Sequence, residues 1–399
     1  MTIVNNVYFT PYGVGLGHAS RLTMLAENII TENKNNSKIN VRFSSFGEAV
    51  EYIKRTGYDC LTVPEVEFSW NSEGSFSFKE SISKIPLWCK NFLKQVNMEV
   101  KNMIKFSPNL VVSDSRLSSI VSAKLLNIPS VVLLNQIKLL LSPRLHSFRM
   151  ARLFELINGE FVGLIWSQAN EILVPDLPPP LTISEMNTWN TSTVLKKIKY
   201  VGFMSPEFRL SNQRIEKIRN QLEFNKSKPT IFFHISGPLE TRLPIIKIIL
   251  NTVKNPKHEF QYIISEGKPN GNTTPMKISK NGRYYEWCPV RDELFAMSDI
   301  LVLRGGHTAI SQAIKFGKPM ISIPIENHPE QIGNSNKLAK IGCGIYISKN
   351  DLNSSNILQG ITDILNQTKY QKKATELMEM SRKINGIDNV MNIIRTYIK

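Results

Sequence analysis

Val7-Tyr8-Phe9-Thr10-Pro11-Tyr12-Gly13-Val14-Gly15-Leu16-Gly17-His18 joins an apolar, β-prone run to a glycine-rich turn and the first residues of a helical pattern. Glycines at a strand-to-helix turn let a ligand approach the backbone closely, and a helix N-terminus favours negative charge. Working outward, short β-rich runs alternate with helical stretches. The first half fits strands at 7–10, 40–45, 59–63, 110–113, 130–134 and 171–174, with helices at 18–32, 47–56 and 117–126. The second half fits strands at 230–235, 260–264, 300–303, 320–323 and 344–347, with helices at 308–316 and 334–341. Such alternation predicts an α/β protein with parallel sheets covered on both faces. The pattern runs twice, so two doubly wound, Rossmann-like domains facing across a cleft are expected, with ligands at the C-terminal ends of the strands.

The break between the two runs is Val174-Pro175-Asp176-Leu177-Pro178-Pro179-Pro180, which cannot continue a hydrogen-bonded ladder. A polar stretch and a short strand at 200–202 follow. The boundary falls near Ser205, giving domains 1–204 and 205–399, with a last helix at about 370–399 free to return to the first.

Composition narrows the class. The 399 residues are 42% hydrophobic and 21% charged, which excludes a disordered chain, a collagen-like fibre and a disulfide scaffold. Cys60, Cys89, Cys288 and Cys343 are too scattered for a zinc or disulfide framework. The N-terminus lacks a signal-peptide pattern, and the apolar stretch 128–141 is broken by Asn135, Gln136 and Lys138. A cytoplasmic protein, peripheral at most on the inner face of the membrane, is expected. Lys and Arg number 49 against 33 Asp and Glu, a net charge of +16. Residues 201–399 carry 28 against 17 and residues 1–200 carry 21 against 16, so the second half is the better candidate for an anionic ligand. No basic run is interleaved with aromatics, so nucleic acid is not the expected partner.

His18 stands where a dinucleotide fingerprint needs glycine, and a neutral imidazole at that turn is what a general base requires. Asp114 ends the 110–113 strand; it could hold the His18 ring, or cap the helix at 117–126. In the second half Ser236-Gly237-Pro238 follows a strand. Tyr285-Glu286-Trp287-Cys288-Pro289-Val290 offers Trp287 as a stacking face. Arg304-Gly305-Gly306-His307-Thr308, followed by Gln312, ends a strand and opens a helix, so its N–H groups form an anion nest to which Arg304 and His307 add side-chain donors. Glu330, Gln331 and Asn334 are placed to receive sugar hydroxyls. The segment 67–103, with Phe68, Trp70, Phe76, Phe78, Trp88 and Phe92 among lysines, reads either as an acceptor lid or membrane-apposed patch, or as aromatics filling the first core.

At these residues the chain resembles the two-domain, GT-B type glycosyltransferases. It is similar to the lipid-linked N-acetylglucosaminyltransferases of peptidoglycan synthesis and, in its second half, to the UDP-glycosyltransferases of plant natural-product pathways. The likeness is strongest in 7–21, 111–135 and 284–344. It implies inverting, metal-independent transfer of GlcNAc or a hexose from a UDP-sugar, a co-substrate rather than a resident cofactor, to a hydroxyl acceptor. A glycolipid or polyprenyl-phosphate-linked acceptor at an anionic membrane surface fits the same picture. The resemblance makes His18 the base and Asp114 its orienting aspartate. It puts Trp287 and Val290 at the uracil, and Arg304, Gly306 and Thr308 at the phosphates; Gly15 and Gly17 in the first glycine turn, and Ser236 and Gly237 after the 230–235 strand, are read from their turns as further donor-binding positions. Gln312 falls at the ribose, and Glu330, Gln331 and Asn334 at the donor sugar. Arg304 replaces the family's usual histidine and Gln312 its usual glutamate; the second exchange keeps an acceptor oxygen but loses a charge. No Asp-x-Asp motif is present. A UDP-sugar 2-epimerase and a non-catalytic nucleotide-sugar-binding protein are the alternatives.

Overall fold

The computed structural model describes residues 4–14, 16–32, 38–66, 85–138, 140, 148–188, 192–204, 211–254, 259–268 and 271–398. The chain divides into two units. Of the described residues, one takes those up to Met204 together with Ile384–Ile398, and the other takes Ser211–Lys383. Gly15 and residues 67–84 of the aromatic segment lie outside the described residues.

The first unit holds β1 (Val4–Pro11), α1 (Leu16–Glu32), β2 (Lys38–Ser45), α2 (Glu48–Arg55), β3 (Cys60–Thr62), α3 (Ile85–Phe106), β4 (Leu110–Asp114), α4 (Leu117–Leu125), β5 (Ser130–Leu133), α5 (Arg149–Trp166), β6 (Glu171–Val174), α6 (Glu185–Thr188), α7 (Ser192–Leu195) and β7 (Ile198–Tyr200). Its strands lie in the order β3-β2-β1-β4-β5-β6-β7, all pairs parallel. Side chains of β1 alternate between faces, as strand geometry requires. Val7 and Phe9 join Ala19, Leu22, Leu25, Ala26 and Ile29 of α1 in one core, while Tyr8 packs on the other face with Met103, Val111 and Ala123. After β3 the chain returns to the far side of β1 as β4, which creates a switch point between β1 and β4.

The second unit holds α8 (Asn212–Gln221), β8 (Thr230–His234), α9 (Leu239–Val253), β9 (Gln261–Ser265), β10 (Met276–Ser279), β11 (Gly282–Tyr285), α10 (Arg291–Met297), β12 (Ile300–Leu303), α11 (His307–Lys315), β13 (Met320–Ser322), α12 (Pro329–Ile341), β14 (Gly344–Tyr346), α13 (Ser354–Asn366) and α14 (Thr368–Arg382). Its sheet runs β10-β11-β9-β8-β12-β13-β14, parallel except for the β10–β11 hairpin, and its switch point lies between β8 and β12.

Three expectations need correction. The hairpin escaped the sequence reading because its strands are four residues each and β10 lies exposed at the sheet edge. The helix expected at 334–341 starts at Pro329, whose missing N–H costs nothing at the first helical position, with the His328 side chain accepting from Gln331 N. The single helix expected at about 370–399 is two. Its second part, α15 (Gly386–Arg395), is capped by Asn385, and it sinks Ile387, Val390, Met391 and Ile394 into the first unit's core. Gly202, at φ +92°, permits this: a Cβ there would sit 2.4 Å from the Ile384 carbonyl oxygen.

Candidate functional site

Parallel register brings the C-terminal ends of three strands together in the first unit. Pro11 of β1 pairs with Asp114 of β4, and Asp114 with Leu133 of β5. The turn after β1 presses against the residues after β2: a Cβ on Gly13 would fall 2.3 Å from both the ring and the carbonyl oxygen of Phe46, so only glycine fits. Helix α1 then begins at Leu16 and carries His18 and Arg21 on adjoining positions of its first turns.

His18 Nδ1 lies 2.7 Å from Asp114 Oδ1. Arg21 donates to the same carboxylate through Nε to Oδ2 at 2.9 Å and through Nη2 to Oδ1 at 3.0 Å, and its Nη1 donates to Asn135 Oδ1 at 3.1 Å. Asp114 is fully buried and His18 is 24% exposed. Burial pushes the Asp114 carboxyl upward, but the Arg21 guanidinium and His18 outweigh it and hold the group below the ordinary carboxylate range. An ionised carboxylate only accepts, so the proton between the two side chains belongs to Nδ1. The Tyr12 ring meets the imidazole edge-on at 5.8 Å. Asp114 caps no helix: α4 starts after Arg116 without a side-chain cap bond. Arg21 and Asn135 carry the arrangement as much as His18 does and had no assigned role in the sequence reading. The signal for Arg21 was its position three residues after His18 on one helix.

In the second unit, Ser236 and Gly237 follow the end of β8, and Arg304, Gly305 and Gly306 follow the end of β12. Gly305, at φ +77°, has Ser335 Oγ and Gln331 O within 2.8 Å of where a Cβ would be, whereas a Cβ on Gly306 meets nothing within 4 Å. Gly306 caps α11 without a side-chain cap bond, so the capping residue occupies none of the helix's first N–H groups. Thr308 and Trp287 are half-buried, as are Val290, which caps α10, and Glu330 and Gln331 in the first turn of α12.

Several side chains expected to touch a ligand turn inward instead. Arg304 is buried and donates from Nε to Ile323 O at 3.0 Å and from Nη1 to Thr241 O at 3.0 Å. Burial pushes its guanidinium down to about 9, still charged at neutral pH. It ties the loop after β13 to the start of α9, which replaces the expected free phosphate donor. Asn334 is fully buried and donates to Gly305 O at 3.1 Å, and His307 is buried at the start of α11. Gln331 Oε1 accepts from Ile325 N at 2.9 Å. Gln312 is buried and donates to Asp292 Oδ1, which also receives Arg291 Nε at 3.1 Å. Arg242, another residue without an assigned role in the sequence reading, donates to Gly267 O at 3.0 Å and lies 3.7 Å from Glu266. Aiming buried cations at main-chain carbonyls fixes the loops from which the nest is built.

Two Rossmann-like units, each with glycines at its switch point, give the architecture seen in GT-B type glycosyltransferase structures. Comparison with known proteins agrees. Residues 207–390 match the model of the Glycosyltransferase family 28 C-terminal domain. An "Uncharacterized glycosyltransferase" of Methanosarcina mazei is 26% identical over 387 residues, 96% of each chain. A Clostridium perfringens UDP-N-acetylglucosamine--N-acetylmuramyl-(pentapeptide) pyrophosphoryl-undecaprenol N-acetylglucosamine transferase is 27% identical over 186 residues, 45% of this chain and 50% of that one. Among solved structures, the glycotransferase of kitacinnamycin superposes with a TM-score of 0.69 at 12% identity over 99% of both chains. The spinosyn rhamnosyltransferase SpnG, complexed with thymidine diphosphate, gives 0.65 at 13% identity over 99% of this chain and 100% of the other.

Proposed function

We propose that this glycosyltransferase moves a sugar of the GlcNAc or hexose type from a UDP-sugar to a hydroxyl acceptor with inversion, and that His18 is the base. The observation that carries this reading is the 2.7 Å contact between His18 Nδ1 and a buried, ionised Asp114; with the neutral ring's proton on Nδ1, Nε2 is the proton acceptor of the proposal. Nε2 takes the acceptor hydroxyl proton as that oxygen attacks the anomeric carbon from the face opposite the nucleotide. Asp114 holds the ring and offsets the imidazolium charge that forms. The leaving diphosphate is met by the N–H groups that open α11, beside the open space at Gly306, with Thr308 adding a hydroxyl. Trp287 and Val290 receive the base, and Glu330 and the amide nitrogen of Gln331, whose oxygen accepts from Ile325 N, meet the sugar hydroxyls. The uridine donor is supported by the name of the Clostridium relative, whose matching stretch is half its length. That name also supports a lipid-linked acceptor.

The test has two parts. A thermal-shift series with UDP, thymidine diphosphate and UDP-sugars is expected to raise the melting temperature most with uridine ligands, because a ligand that binds the native state stabilises it. A larger rise with thymidine diphosphate would overturn the uridine assignment. In the second part, His18→Ala is expected to lose transfer and keep the UDP shift; retained turnover removes His18 from the base role.

A further inference from the structure

Helix α5 is built inside out. A helix on a soluble domain ordinarily turns its large apolar residues inward. In α5 the buried positions are Glu155, Gly159, Gly163 and Trp166. Exposed on its outer side are Met150, Leu153, Phe154, Ile157, Phe161 and Leu164, with Met150 74% and Phe161 64% accessible. Their spacing is i, i+3, i+4, i+7, i+11 and i+14, which is one continuous stripe. Leu195 of the neighbouring α7 is exposed as well. A patch of this extent is more than a monomer ordinarily leaves in water.

The charges around the stripe have one sign. Of the two carboxylates on α5, Glu155 is buried. Glu160 turns to the start of α7, accepting from Ser192 N at 2.7 Å, Ser192 Oγ at 2.9 Å, Thr193 N at 3.2 Å and the Thr193 hydroxyl. Arg149 and Arg152 in the first turn are exposed, as are Lys196 and Lys197 just past α7. The outer face therefore offers apolar side chains flanked by cations and no exposed carboxylate.

We propose that α5 lies flat in the interfacial layer of a bilayer containing anionic lipid, with its stripe among the acyl chains and Arg149 and Arg152 at the lipid phosphates. A basic helix with a broad apolar face binds membranes in this way. Spanning is not available to it: four charged residues interrupt its 18, and no described helix is long and apolar enough to cross a membrane. A second copy is a poorer occupant, because a two-fold contact brings together two faces of the same positive sign, with no exposed carboxylate among the residues of α5 to offset them. This surface is argued independently of the transfer chemistry.

The test is sedimentation of the full chain with vesicles of phosphatidylcholine alone or mixed with phosphatidylglycerol, at low and high salt. Two variants change only exposed residues: Leu153→Ser with Ile157→Ser and Phe161→Ser, and Arg149→Glu with Arg152→Glu. The unchanged protein is expected to sediment with the mixed vesicles at least about tenfold more strongly than with phosphatidylcholine, and each variant to lose about tenfold at an unchanged melting temperature. Salt is expected to weaken the unchanged protein more than the arginine variant. The proposal is overturned if the unchanged protein stays in the supernatant, or if the variants bind as it does. It is also overturned if light scattering without vesicles shows a dimer that the serine variant turns into a monomer. The UDP-induced thermal shift is expected to persist in both variants, so loss of vesicle binding and loss of the donor site are read separately.

Discussion

At the β1–β4 switch point the polar side chains turn toward one another and toward the crevice: His18, Asp114, Arg21 and Asn135 form one connected group with an imidazole nitrogen left over. At the β8–β12 switch point the buried polar side chains turn into the main chain. Arg304, Arg242 and Asn334 all donate to backbone carbonyls, and what remains open is the space at Gly306 and the N–H groups that start α11. Both crevices follow from the same topology, yet one presents side-chain chemistry and the other a braced backbone. The difference suits the chemistry proposed for each: a proton acceptor must be a titratable group, whereas a diphosphate is held well by rigid N–H dipoles.

Substitutions can break this contrast. The largest effect is expected at His18. His18→Ala should lower the rate of transfer by roughly 10²- to 10⁴-fold, the range for losing a general base, with donor affinity unchanged in isothermal titration. Arg304→Ala should act by a different route. It should destabilise the chain by about 3 kcal/mol, because two carbonyls lose a charged partner, and donor affinity should fall as a consequence. Arg304→Lys should not restore the melting temperature, since an ammonium cannot reach both carbonyls as a fork does. A melting temperature equal to the parent's, with donor affinity alone reduced, would return Arg304 to the role of a direct phosphate donor.

The two glycines of the nest sharpen the contrast. Gly305→Ala combines a left-handed φ with a clash against Ser335 and Gln331, so roughly 2–4 kcal/mol of stability should be lost. Gly306→Ala meets no neighbour and should change the melting point little while weakening UDP binding, because its methyl enters the space reserved for the ligand. Equal UDP binding by Gly306→Ala would take that space out of the donor site.

Arg21→Lys should have a smaller effect. It keeps the charge beside Asp114 but loses the two-pronged contact, and turnover should fall by about tenfold as the His18 ring gains freedom. The smallest effect concerns acid stability. The folded Asp114 carboxyl titrates below its unfolded value, so its contribution is complete above the ordinary carboxylate range and is lost as pH falls through the lower, folded value. Asp114→Asn should flatten the acid limb of the stability profile in urea titrations, and an unaltered limb would assign that limb to other carboxylates.

Much of the framework could be read from residue order. Glycine turns, the proline-rich break at 174–180 and short apolar runs mark the two sheets and most of their strands, because turn and strand preferences act locally. His18 and Asp114 could be paired on paper, since adjacent parallel strands align their ends. The donor residues could be located but not oriented: whether a polar side chain past a strand end faces the crevice or a carbonyl depends on loops distant in sequence. Thr241 and Ile323, which receive Arg304, are 63 and 19 residues away from it.

The sequence by itself determined the α/β alternation, the two-unit division and the positions of the glycine turns, all of which rest on interactions between near neighbours. Only the tertiary structure decided that Arg21 shares Asp114 with His18, that α15 closes the first unit's core, and that α5 turns its large residues outward. Each of these depends on groups brought together across long stretches of chain, where packing and hydrogen-bond partners override what a local pattern can specify.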